Sequence, residues 1–158
     1  MLAGLWAVVP HGALRAAGIG VAELSSLFEG EAKLDLAQWA AHTALEPAAA
    51  AGTPDAQAAR AAFFGALGGL DEPGRARLFQ FVTGLPRLPP GGFAALRPPF
   101  TLQLLGEAHR GRLPVAHTCF NALQLAPLPP GEPAQQAEQL AAALATSVEF
   151  GEGTFSEF

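Results

Sequence analysis

Within five consecutive positions the chain carries His117, Thr118, its only cysteine Cys119, Phe120 and Asn121. A cysteine attacks as its thiolate, and an unperturbed thiol of pKa about 8.5 is only a few per cent ionised at neutral pH. In exchange with a thioester the leaving group is itself a thiolate. Modest assistance from His117 or from backbone N–H groups then suffices, and a strongly depressed pKa is not required. If residues 115–121 are extended, side chains alternate, so His117, Cys119 and Asn121 share one face and Ala116, Thr118 and Phe120 the other. This pattern predicts a strand whose polar side carries the thiol. The opposing reading is a small apolar residue filling a core, the common fate of a free cysteine in an apolar strand. A papain-like relay of Cys, His and Asn does not fit, because three residues alternating on one strand cannot line up as nucleophile, base and orienting group.

Other chemistries have less to stand on. The four histidines, at positions 11, 42, 109 and 117, show no i, i+3 or i, i+4 pairing and no clustered carboxylates, so no metal site is expected. "GALGGL" at 65–70 lacks the Lys-Ser/Thr of a phosphate loop and sits inside a helical stripe. The acidic residues near the C-terminus read as a solvated face.

The elements that must position these residues are partly legible. Helices are predicted over "GVAELSSLFEG", ending at Gly30, and over "DLAQWAAHTAL", capped by Asp35 and anchored by Trp39. "EPAAAAGTP", 46–54, is bracketed by prolines and reads as a linker. Phe63, Leu67 and Leu70 define one buried face of a helix over 55–70. Asp71 then caps a second helix with a Leu78, Phe81, Val82 stripe that stops at Gly84. Residues 85–99 are too rich in Pro and Gly for regular structure, yet Leu88, Phe93 and Leu96 predict a loop that packs. Strands are expected at 100–105 and at 115–125, with a turn at "EAHRGR" between them, and "APLPPGEP" is a second proline-rich connection. An amphipathic helix over 134–148 precedes a glycine-broken tail. Helices and strands mix without a βαβ rhythm, so the expected class is α+β, a small β-sheet flanked by helices.

The composition bounds the partners. At 158 residues the chain is long enough to bury a core, and half of it is hydrophobic. A net charge of −5 with Lys33 as the only lysine argues against a nucleic-acid surface. The N-terminal apolar run is interrupted by Pro10 and too short to span a bilayer, so no membrane partner is expected. One cysteine cannot form an internal disulfide, which suits a reducing compartment, cytoplasmic or nuclear.

Three stretches, in order, resemble the C-terminal catalytic lobe of HECT-type ubiquitin ligases: "RLFQFVTGLPRLPPGGFAAL" at 77–96, "LPVAHTCFNALQL" at 113–125, and the terminal "GTFSEF" with Phe155 fourth from the end. Upstream, "FEGEAKLDLAQWAAHTAL" resembles the end of the family's larger N-lobe and "FFGALGGLDEPGRA" its hinge-proximal helix. The resemblance implies an N-lobe remnant over 1–45, a hinge-like linker over 46–54 and a C-lobe over 55–158. It implies that Cys119 accepts ubiquitin from a conjugating enzyme as a thioester and passes it to a substrate lysine. His117 and Thr118 would position the thioester, Asn121 would hold the loop, and Phe155 would dock the tail on the N-lobe. No metal or organic cofactor is implied. Most of the N-lobe is missing on this likeness, so a fragment of a larger ligase or a truncated relative is expected. A C-lobe that binds ubiquitin or a partner without catalysis is the alternative. The sequence departs from the family where "LDLPPY" becomes "LQLAPLPP", and the paired "FW" becomes Phe63-Phe64.

Overall fold

The computed structural model describes residues 34–155, with side chains as far as Gly151. The helix expected over 20–30 and the last three residues lie outside the described residues. Four α-helices are described, α1 (Leu36–Ala41), α2 (Pro54–Gly69), α3 (Glu72–Thr83) and α4 (Pro133–Phe155). Four strands accompany them, β1 (Ala44–Glu46), β2 (Thr101–Leu104), β3 (Val115–His117) and β4 (Ala122–Leu125). The class is α+β, as the mixture of elements predicts. Among the described residues no helix is long and apolar enough to cross a membrane.

Local chemistry starts and stops the helices where the sequence places those signals. Asp35, Thr53 and Asp71 each accept a hydrogen bond from a first-turn N–H, offsetting donors that the helix itself leaves unpaired. Gly84 closes α3 in a left-handed conformation with φ of 71°. Two helices differ from expectation. The segment 35–45 is not all helix: α1 ends at Ala41, and the Ala44 N–H donates to the Phe100 carbonyl at 2.8 Å, so pairing with β2 overrides alanine's helix propensity. In the other direction, α4 continues seven residues beyond Val148, through Gly151. A Cβ at Gly151 would stand 2.7 Å from the Phe81 ring, so a glycine here lets the helix run close over that side chain.

The sheet has the order β1-β2-β4-β3, with β1, β2 and β4 parallel and β3 antiparallel to β4. Register puts Leu45, Leu102, Leu123 and Ala116 in one cross-strand row. That row turns toward the core, together with Leu104 and Leu125. The opposite face carries Ala44, Thr101, Ala122 and His117 in one row, and Glu46, Gln103, Gln124 and Val115 in the next.

Trp39 is the centre of the core. It is fully buried, stacked on Phe93 at 5.0 Å between ring centroids and edge-on to Phe63, Phe79 and Phe100. Leu88, Phe93 and Leu96 are buried, so the 85–99 loop packs as its composition predicts. Residues 34–46 therefore share one core and one sheet with the chain beyond 54: Trp39 touches α2, α3 and the 85–100 segment, and β1 hydrogen-bonds β2. The 46–54 stretch between them holds the end of β1 and a single 3-10 turn, Ala48–Ala50.

Candidate active site

Cys119 sits at the tip of a turn, where a continuous strand is expected. β3 ends at His117, Thr118–Phe120 form one 3-10 turn, and β4 returns antiparallel from Ala122. The single strand over 115–125 is thus a tight hairpin. The physical reason is Asn121, which adopts φ 49°, ψ 38°, the left-handed region that reverses the chain. Asparagine tolerates this conformation better than most side chains.

Without a continuous strand, His117, Cys119 and Asn121 do not share one face. His117, Thr118 and Cys119 are exposed, whereas Asn121 is only 6% exposed and faces inward. What survives is sequence adjacency at a solvent-facing turn, with a free thiol. An inert core cysteine is excluded by that exposure.

Asn121 pins the turn through three hydrogen bonds. Its N–H donates to the Thr118 carbonyl at 3.3 Å, its carbonyl accepts from the Thr101 N–H at 3.0 Å, and its side-chain Nδ2 donates to the Pro98 carbonyl at 2.7 Å. The cysteine turn is thereby tied to the start of β2 and to the proline-rich loop before it. From the other side comes the end of α3. Thr83 is buried, its Oγ1 donating to the Phe79 carbonyl and accepting from the Leu85 N–H. A Cβ placed on Gly84 would stand 3.7 Å from the Thr118 Cβ. The "FVTG" motif thus ends its helix against the cysteine turn, which gives that motif a structural purpose.

The residues expected from the sequence divide accordingly. His117, Thr118 and Cys119 are consecutive on the exposed rim, and Asn121 lies beneath them as an anchor. Phe155 is the last residue of α4, and its side chain lies outside the described residues. Pro98, Thr101 and Gly84 are neighbours of the site that its own segment does not announce, because they are brought there from as far as 34 positions away. Only the quoted "FVTG" offered a signal for Gly84. Among the described residues no three His, Cys, Asp or Glu side chains come together as metal ligands.

An exposed thiol on a rigidly held turn can exchange with an incoming thioester without moving buried groups. Comparison with known proteins gives the family. The HECT-domain (ubiquitin-transferase) family model matches residues 1–156. The "E3 ubiquitin-protein ligase RSP5" of Chaetomium thermophilum is 33% identical over 135 residues, covering 82% of this chain and 15% of that protein. The mouse "E3 ubiquitin-protein ligase HECW1" is 37% identical over 110 residues, 68% of this chain and 7% of the relative. The mouse "Apoptosis-resistant E3 ubiquitin protein ligase 1" is 49% identical over 63 residues, 40% of this chain and 7% of the relative. The chain thus spans only a small part of the length of these curated relatives. With the match extending over almost every residue, the chain belongs to the HECT-domain (ubiquitin-transferase) family.

Proposed function

We propose that this chain carries the thioester-forming lobe of a ubiquitin ligase, with Cys119 as the acceptor. The observation that carries the reading is the exposed thiol on a turn pinned by Asn121, in a chain of this family. The Cys119 thiolate attacks the carbonyl carbon joining ubiquitin's C-terminal glycine to the conjugating enzyme's cysteine. A new C–S bond forms, the old one breaks, and the enzyme's cysteine leaves as a thiolate that takes up a proton. Thiolate replaces thiolate, so the exchange is close to balanced and needs no further energy source. In the second step a neutral lysine amine of the substrate attacks the Cys119 thioester. The isopeptide bond forms, Cys119 leaves as a thiolate, and the amine's proton passes to solvent.

In this proposal His117 and Thr118 position the acyl group, Asn121 holds the turn, and Phe155 docks the tail on an N-lobe. Because residues 34–46 share the core, we place the start of the catalytic lobe at or before Leu34. Ubiquitin, a conjugating enzyme and a protein substrate are the partners, and a reducing compartment such as the cytoplasm suits the free thiol. The test is a non-reducing gel after incubation with a ubiquitin-charged conjugating enzyme, and separately with a small-molecule thioester of ubiquitin. A thiol-sensitive adduct that is lost in Cys119→Ala is expected. No adduct from either donor would sink the proposal.

A further inference from the structure

On the outer face of the sheet, beside the cysteine turn, lies an open groove of about 330 Å³, within the size range of ligand sites. Small residues make its floor: Ala44, Thr101 and Ala122, one cross-strand row of β1, β2 and β4. At the cysteine end stand Pro99 and Phe120, the latter 63% exposed although it directly follows Cys119. The far end carries Glu46, the only charged side chain among the described residues that line the groove. Its Oε2 accepts from Gln103 Nε2 at 2.9 Å, and Gln103 Oε1 accepts from Gln124 Nε2 at 3.3 Å, so the carboxylate is held by a polar row across the strands. A carboxylate has room for further donors beyond this one.

We propose that the groove receives the acceptor polypeptide, in an extended conformation, and that Glu46 selects a basic residue near the lysine to be modified. Two observations commit the groove to this occupant. Phe120 makes it continuous with the turn that presents Cys119, and its single charge complements a cation. The spacing sets the position. Glu46 lies two strand separations across from β4 and two residues along β1 from the Ala44 row, roughly 12 Å from Ala122, and an extended residue covers about 3.3 Å, so the basic residue lies at least about four positions from the acceptor lysine. An apolar residue between them rests on Phe120 and Pro99. The proposal rests on the thioester reading of Cys119 for its catalytic consequence, but not for the binding itself.

Two measurements test it on the 158-residue chain. The first loads Cys119 from a small-molecule ubiquitin thioester and follows discharge to lysine peptides bearing Arg, Ala or Glu four or five residues away. The Arg peptide is expected to react about two- to five-fold faster than the Ala peptide, as for one exposed ion pair, and Glu46→Gln is expected to erase that ratio. Equal rates in the parent chain overturn the proposal. Slower loading in Glu46→Gln with the peptide ratio intact overturns it in favour of a groove occupied by the tail of the donor ubiquitin. The second measurement is a ¹H–¹⁵N titration of the unloaded chain with the Arg peptide. Shifts are expected at Thr101, Gln103 and Ala122, reduced in Glu46→Gln, and their absence overturns the proposal. Failure to load Cys119 at all refutes the thioester reading alone, since the titration still decides the groove.

Discussion

Replacing Asn121 with aspartate changes one donor into an acceptor at the point where the cysteine turn is tied down. Asparagine and aspartate have nearly the same shape, and both tolerate the left-handed conformation found here, so the backbone at φ 49° is preserved. The side chain is 6% exposed and its Nδ2 donates to the Pro98 carbonyl at 2.7 Å. An ionised aspartate offers that carbonyl no proton and sets two acceptors against each other. Loss of the bond with a buried partner left unsatisfied costs about 1–3 kcal/mol, and burial of the charge adds to this. The sign of the pH dependence follows. The charged form is disfavoured in the folded state, so the introduced carboxyl titrates above its unfolded value of about 3.9 and the native state holds the extra proton. The penalty is therefore complete at pH 7 and shrinks as pH falls through the raised value, where the protonated acid can donate to Pro98. Urea unfolding followed by circular dichroism at pH 7 and pH 4.5 measures this, with each variant compared with the parent chain at the same pH. Asn121→Gly, which keeps the backbone and loses the bond, is expected to lose about 1–3 kcal/mol at both pH values. If both variants lie within 0.5 kcal/mol of the parent chain, or if Asn121→Asp grows worse on acidification, the anchoring role of this side chain is refuted.

Gly84→Ala is expected to cost about 1 kcal/mol or more through its φ of 71°, not through a clash, since the nearest Thr118 atom would be 3.7 Å away. The same variant is expected to slow loading of Cys119, and unchanged unfolding would count against the left-handed closure of α3 at Gly84. Trp39→Ala removes the centre of the aromatic core and is expected to cost about 3–5 kcal/mol, enough to unfold much of the chain at 25 °C. A small loss in urea unfolding would show that residues 34–46 are not part of the cooperative unit. In α2, Gly68→Ala has open space around it and is expected to stabilise by about 0.5 kcal/mol or more. Gly65→Ala places its Cβ 3.0 Å from the Ala137 Cβ and is expected to give none of that gain, a contrast that thermal unfolding resolves.

Much of the helical frame was legible because its causes are local. Asp35 and Asp71 accept from N–H groups three residues on, Gly84 ends α3 by its own conformational freedom, and the apolar spacings lie within single helices. The class, α+β, and the identity of Cys119 as the reactive candidate were readable for the same reason, since residue types and short motifs carry them. The resemblance over "FVTG" and "HTCFN" supplied the chemistry.

The form of the site depended on contacts between distant residues. Asn121 turns back because Pro98 and Thr101, 20 and more positions earlier, supply its partners, and strand alternation has no means of registering them. The helix expected to continue past Ala41 gives way to β1 because an alanine-rich segment has no local reason to leave the helix until Phe100 offers its carbonyl. Sequence by itself determined where α2 and α3 begin and end and which side chain could act as nucleophile. Tertiary structure alone decided that the Cys119 thiol stands exposed on a pinned turn, because a chain reversal is stabilised by hydrogen bonds from segments that only folding brings together.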